Sequence, residues 1–213
     1  MIILIDNGHG QDCPGKQSPK LDSSIIVSNE FTENGRFKEW KYTRVIADML
    51  VTKLKAMGYD ARLLVTEKKD ISLGERVKRV NTLCNKSGVS NVIMISVHAN
   101  AVGDSSKWMN GQGWEAYSTK GKTKSDLLAE CLYKRAEQNF KGKKIRKDLT
   151  DGDSDKEANF YVILNAKCPA VLTENFFYDN KDDLKYMTSE EGIHAVVRTH
   201  VEGIIDYIKY KEK

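Results

Sequence analysis

Residues 91–101 read Asn-Val-Ile-Met-Ile-Ser-Val-His-Ala-Asn-Ala. Asn91–Val97 is apolar almost throughout and rich in β-branched side chains. A run of that length suits a strand buried on both faces, as in a parallel sheet; a half-exposed antiparallel strand would alternate polar and apolar residues. His98 follows at its carboxyl end. The same layout opens the chain, where Ile2–Ile5 is followed by Asp6-Asn7-Gly8-His9-Gly10. It recurs at Ala170–Thr173, which follows Pro169 and leads into Glu174. Arg62–Thr66, Trp114–Tyr117 and Phe160–Leu164 are further short apolar segments read as strands, which makes about six.

Helical patterns lie between these segments. From Glu39 to Met57, residues Ile46, Met49, Leu50, Leu54 and Met57 recur at three- and four-residue spacing and form one apolar stripe, and Gly58 ends the helix. Ser72 with Glu75 three residues on makes a capping box for a helix that carries Val77, Val80, Leu83 and Cys84 inward and stops near Gly88. A third helix is expected from about Ser125 to Phe140, and a fourth from about Glu190 to Tyr210. Strands alternating with helices predict an α/β fold: a single three-layer domain over 1–213, with a mostly parallel or mixed central sheet of about six strands flanked by helices. Two stretches, 10–38 and 141–159, show no regular pattern and are read as long loops, the first directly after strand one.

Composition narrows the class. The chain has 213 residues, 40% hydrophobic and 30% charged, with three Pro, which is globular and neither collagen-like nor disordered. The 34 Lys+Arg against 30 Asp+Glu give +4, too small and dispersed a charge to point to nucleic acid. No apolar run approaches the roughly 20 residues of a membrane span. The start, MIILIDNGHG, has neither the basic region nor the cleavage site of a signal peptide, so none is expected. The four Cys lie far apart with no CxxC pair, which argues against a cysteine zinc site and a disulfide scaffold.

Ligands in open α/β sheets bind outside the carboxyl ends of the strands. His9, His98 and Glu174 each follow a predicted strand, so parallel strands would gather them on one edge. Glu39 opens the helix after strand one and reaches the same place. Two imidazoles and two carboxylates then converge. A His₂Glu set is one of the known catalytic zinc combinations, and the remaining carboxylate would be free to act as general base on bound water. The plainer reading stands beside it: a His after a strand also serves as a hydrogen-bonded loop residue, and a Glu in a first helical turn is favoured by the helix dipole alone. His194 and His200, six apart on the last helix, are read as structural. Asp151-Gly-Asp-Ser-Asp-Lys-Glu157 imitates the start of a calcium loop, but Lys156 stands where Gly is required and Val162 where Glu is required, so it is read as a solvated acidic loop. Trp108, Trp114, Tyr117, Phe176, Phe177 and Tyr178 could form platforms for a glycan, with core packing as the main expectation.

With these motifs in view, the chain resembles zinc-dependent N-acetylmuramoyl-L-alanine amidases of the amidase-3 family. Ile5-Asp-Asn-Gly-His-Gly10 is similar to the family's first metal motif and implies His9 as ligand. Glu39 resembles its glutamate ligand. Ser96-Val-His-Ala-Asn-Ala101 resembles the second histidine motif, with His98 as ligand. Pro169-Ala-Val-Leu-Thr-Glu174 resembles the segment that delivers the catalytic glutamate. Ser72-Leu-Gly-Glu-Arg76, Gly113-Trp-Glu-Ala-Tyr117 and Ser125–Ala129 resemble the supporting segments between. Two departures stand out: Phe176 holds a place where the family usually has Gly, and the 10–38 segment is longer than in plain members. Asn180 keeps the spacing of six from Glu174 at which the family often has Asn.

The resemblance implies one Zn²⁺ held by His9, Glu39 and His98, with Glu174 as general base. The bond to be cut is the amide between the lactyl group of N-acetylmuramic acid and the L-alanine of the peptidoglycan stem. Asn100 and Asn175 are expected to orient substrate or to cap turns. The partner is peptidoglycan, with no obligate protein partner implied. A bare catalytic domain with no separate wall-binding module, held in the cytosol until release in the manner of a phage lysin, is the expectation for location. Two rival functions remain at this level: a zinc peptidase or carboxypeptidase acting on the stem peptide, and a catalytically silent glycan-binding domain.

Overall fold

The computed structural model describes residues 1–150 and 152–212. In chain order its elements are β1 (Ile2–Asn7), β2 (Thr32–Glu33), β3 (Arg36–Phe37), α1 (Glu39–Ala56), β4 (Asp60–Leu63), α2 (Leu73–Ser87), β5 (Val92–Asn100), β6 (Trp114–Ser118), α3 (Asp126–Asn139), β7 (Lys156–Glu157), α4 (Tyr161–Asn165), β8 (Ala170–Phe177), α5 (Lys181–Met187) and α6 (Glu190–Lys211). The main sheet runs β4-β1-β5-β8-β6-β7. β4, β1, β5 and β8 are mutually parallel, β6 is antiparallel to β8, and β7 is parallel to β6. The carboxyl ends of β1, β5 and β8 therefore share one edge of the sheet.

Successive residues of the central strands point to opposite faces, and both faces are covered. Ile3, Ile5, Ile93, Ile95 and Val171 pack into one core with α1, α3 and α6. Leu4, Val92, Met94 and Leu172 pack into a second with Val80 and Cys84 of α2 and Val162 and Ile163 of α4. This two-sided burial explains the near-continuous apolar runs, and it makes a three-layer α/β domain. Ser72 caps α2 by accepting a hydrogen bond from the Glu75 N–H at 3.3 Å. α1 ends where Gly58 takes φ +86°, a left-handed conformation suited to Gly. Met57, assigned to its apolar stripe, is exposed. Among the described residues no helix is long and apolar enough to cross a membrane.

Several expectations are corrected. Phe160–Leu164 is not a strand: Tyr161–Asn165 forms α4, with Val162 and Ile163 buried and Tyr161 and Leu164 exposed. A five-residue apolar run does not separate a strand from a one-sided helical turn by periodicity alone. The sixth strand is instead the two-residue β7, inside the stretch read as loop. The 10–38 segment holds the hairpin β2–β3, turned at Asn34 (φ +53°) and Gly35 (φ +71°), the Asn-Gly pair that a tight hairpin turn favours. α5 was not anticipated. Asn180 caps it by accepting from the N–H groups of Asp182 and Asp183, which gives that Asn a structural reason.

The acidic loop is not solvated throughout. Asp155 is buried, and its carboxyl group is pushed up to about 7, first by burial and then by Asp153. Glu130 of α3 accepts the Ser154 N–H at 2.7 Å, and β7 pairs with β6, so the segment is drawn against the domain. The first residue of that motif, Asp151, lies outside the described residues. His200 is fully buried, 2.9 Å from Thr173 Oγ1 and 2.8 Å from the Val196 carbonyl oxygen, while His194 is exposed.

Candidate active site

His9 follows β1 after a single glycine. The Gly8 N–H donates to Val97 O at 2.9 Å, and Thr43 Oγ1 of α1 donates to Gly8 O at 2.9 Å, so this turn is tied to both β5 and α1. A Cβ on Gly8 would fall on the His98 ring, 2.8 Å from Nε2, so only Gly lets the two imidazoles approach. His9 itself adopts φ +62°, an uncommon conformation for a non-Gly residue. The guanidinium of Arg44 holds it there by donating to the His9 carbonyl at 2.8 Å. Beneath the turn, Arg76 of α2 reaches Asp6 Oδ1 at 2.5 Å and Asn7 O at 2.8 Å, and Ser96 Oγ donates to Asp6 Oδ2 at 2.6 Å. This buried pair braces β1 against α2 three residues before His9.

Glu39 is the first residue of α1 and is 1% exposed. Its Oε1 lies 3.2 Å from His98 Nδ1 and accepts the Ala99 N–H at 3.0 Å. Its Oε2 lies 3.4 Å from His9 Nε2. The two imidazole rings meet edge to face with centroids 4.9 Å apart. One ligand atom from each of His9, Glu39 and His98 lies within 4.8 Å of the other two. Burial pushes His9 down to about 4, so its ring is neutral near pH 7 and offers a lone pair. Burial opposes charge on Glu39, yet its hydrogen bond with His98 leads the effects that hold its carboxyl below the usual range. Among the described residues, Glu39 Oε2 is buried without a hydrogen-bond donor. Two imidazoles and one carboxylate, whose orphaned oxygen lies 3.4 Å from His9 Nε2, make a three-residue donor set that fits one divalent cation of the zinc type.

Glu174 lies on β8 directly opposite His98 in the β5–β8 register. Between that pair and Asn100↔Phe177 the register slips: Asn175 and Phe176 on β8 face only Ala99 on β5. Phe176 takes φ +69° at this bulge, which explains why a Gly would sit easily there. Burial pushes the Glu174 carboxyl up to about 8, with Glu39 and Glu115 adding to the rise and His98 opposing it. Its Oε2 is also buried without a donor among the described residues.

A cleft of about 310 Å³ collects His9, Glu39, His98, Glu174 and Asn100. Tyr178, one of the candidate aromatic platforms, also lines it, as does Lys16, which was not singled out from sequence. Lys16 comes from the 10–38 segment and is fixed by its carbonyl, which accepts the Glu39 N–H at 3.1 Å. No local pattern marks such a residue, because its place depends on how the loop folds back on α1. Asn100 Nδ2 donates to Glu115 at 2.7 Å and remains beside the cleft. Asn175 is fully buried instead, accepting from Trp114 Nε1 and donating to His98 O, both at 2.9 Å, so it supports the His98 backbone from behind and lies off the cleft. Trp114, Phe176 and Phe177 are core residues, as expected.

Residues 3–206 match the amidase-3 family, described as N-acetylmuramoyl-L-alanine amidase. The chain is 24% identical over 221 residues to the endolysin of Bacillus phage SPP1, covering 100% of this chain and 68% of that protein. It is 29% identical over 207 residues to the N-acetylmuramoyl-L-alanine amidase CwlM of Bacillus licheniformis, covering 95% and 66%. The chain thus spans about two thirds of the length of these relatives. An N-acetylmuramoyl-L-alanine amidase from Clostridium difficile 630 shares the fold, with a TM-score of 0.74 at 22% identity over 99% of this chain and 97% of that one. With a family match spanning nearly all of its length and the His-Glu-His group assembled at the edge where the parallel strands end, the chain belongs to the amidase-3 family of N-acetylmuramoyl-L-alanine amidases.

Proposed function

We propose that this chain hydrolyses the amide between the lactyl group of N-acetylmuramic acid and L-alanine in peptidoglycan, with one zinc ion held by His9, Glu39 and His98 and with Glu174 as general base. The observation that carries this reading is the convergence of that ligand group with the orphaned Glu174 oxygen in one cleft. When bound, zinc supplies a Lewis acid that lowers the pKa of water, polarises the scissile carbonyl and, by its charge, draws the Glu174 carboxyl down. His9 and His98 would present neutral imidazole nitrogens, and Glu39 would supply negative charge against that of the cation.

Glu174 Oε2 takes the proton of the attacking water and returns it to the leaving amine of L-alanine. Its burial raises its basicity. Asn100, fixed by Glu115 at the cleft edge, orients the substrate by hydrogen bonding. We read the chain as one catalytic domain acting on the cell wall, in line with a phage endolysin among its relatives. Digestion of defined muropeptides with and without chelator, followed by mass spectrometry, tests the proposal. Intact stem peptide released only without chelator is expected. Release of single amino acids would instead mean a peptidase, and binding with no product would mean a glycan-binding domain.

A further inference from the structure

Cys13 Sγ lies 3.4 Å from Nδ1 of His9, while the opposite ring nitrogen, Nε2, faces Glu39 Oε2 at 3.4 Å. We propose that Cys13 is a positioning residue for His9: its sulfur accepts the Nδ1–H and holds the ring in the tautomer that turns the Nε2 lone pair toward Glu39. The inference rests on the metal reading of the site. A histidine that binds a metal gives its second ring N–H to a partner, usually a carboxylate, a carbonyl or water, and that partner sets both tautomer and orientation. Here the partner the structure gives that nitrogen is a thiol.

The sulfur is not placed there by a free loop. The Cys13 N–H donates to Gly10 O at 3.1 Å, which closes a tight turn just after His9. That turn is stitched to the segment before α2 on both sides, through Gln11 N–H to Lys68 O at 2.8 Å and Asp70 N–H to Asp12 Oδ1 at 2.6 Å. Pro14 follows and fixes the exit of the chain. Cys13 is a free, half-buried cysteine. Nδ1 and Nε2 point away from each other out of the ring, and Cys13 is not in the group whose ligand atoms converge, so the thiol stands behind His9 and not among the ligand atoms. His9 needs such support, since its backbone is held at φ +62°.

The test is zinc affinity of the full chain, measured by competition with a chromophoric chelator at one pH. Cys13→Ala is expected to bind zinc about 10–100-fold more weakly, the usual effect of losing such a support. Cys13→Val, close to cysteine in volume but with no acceptor, serves as a second deletion should the Ala variant not fold. Cys13→Asn, whose amide oxygen can accept the same N–H, is expected to stay within a few-fold of the parent. Metal-free thermal melts show that each variant folds. Equal zinc affinity in parent and deletion variants overturns the proposal. So does a sulfur-to-cobalt charge-transfer band in the cobalt-loaded parent that vanishes in Cys13→Asn, because the thiol would then be a ligand. A parent chain that binds no zinc takes down the metal reading as well, whereas chelator-sensitive hydrolysis with unchanged affinity in the variants removes only the role of Cys13.

Discussion

Glu115 on β6 and Glu174 on β8 stand directly opposite each other in the antiparallel register, two carboxylates on one face of the sheet with opposite environments. Glu115 accepts hydrogen bonds from Asn100 at 2.7 Å, Tyr117 at 2.9 Å, Arg146 at 2.7 Å and Lys156 at 2.9 Å. Burial alone would raise it, but Lys156 and Arg146 hold it below the usual carboxylate range. Glu174 has no such donors among the described residues and is pushed up to about 8. Environments that drive two neighbouring carboxyls apart are the pattern expected where one is an acid–base group and the other a fixed charge. Glu115→Gln removes a negative charge that raises Glu174. The ionisation of Glu174, the proposed general base, is therefore expected to move to lower pH in the kcat/KM profile on a soluble muropeptide.

Glu174→Gln keeps the volume and removes the proposed base. Zinc content, measured by mass spectrometry of the purified protein, is expected to match the parent. Hydrolysis should fall by about 10²–10⁴-fold. Parent-level lysis of purified peptidoglycan by this variant would disprove the assignment.

Gly8→Ala drives a methyl group into the His98 ring. The two imidazoles can no longer approach, so the variant is expected to bind zinc far more weakly while retaining its far-UV circular dichroism. Chelator competition reads the loss.

His200 is the source of an expected acid sensitivity of stability. Burial lowers its pKa from 6.5 to about 4, and its tautomer is fixed by donation to the Val196 carbonyl, with Thr173 at the other nitrogen. Between those values the unfolded chain binds the proton and the folded chain does not, so stability rises with pH there. The contribution is complete above 6.5 and is lost as pH falls toward 4, a total of about 3 kcal/mol at 1.36 kcal/mol per unit. Urea midpoints measured across that range should flatten in His200→Leu relative to the parent.

Phe176 is fully buried against Phe140 and Tyr186, with ring centroids 5.1 Å apart in both cases. Phe176→Ala should cost about 3–5 kcal/mol in urea unfolding, from lost burial and the cavity left behind. Phe176→Gly should be no worse than Ala. The φ of +69° is free for Gly and strained for Ala, which reverses the ordinary penalty for Gly in a strand.

The central strands, the long helices and the three-layer class were legible because two-sided burial writes itself as an apolar run, and one-sided burial as a three-to-four spacing. His9, His98 and Glu174 were legible for a related reason: each follows a run whose direction the parallel topology fixes, so the carboxyl ends must share an edge. Glu39 followed from where a crossover helix starts. Phe160–Leu164 was misread because five apolar residues fit a strand and a helical turn equally well. β7 was missed because its pairing with Tyr117 and Ser118 comes from a partner strand almost 40 residues away and not from its own residues.

The residue sequence by itself determined the layers, the strand directions and the four groups at the sheet edge, because hydrophobic periodicity and chain crossover are local or topological facts. Only the tertiary structure decided what each of those groups feels. The slip between His98 and Asn100 turns Asn175 inward to the His98 carbonyl and leaves Glu174 at the cleft. The fold of the 10–38 segment brings Cys13 behind His9 and the Lys16 carbonyl to Glu39. Burial and unmade hydrogen bonds, which set the charge of a carboxyl or an imidazole, depend on neighbours far along the chain, and no local pattern carries them.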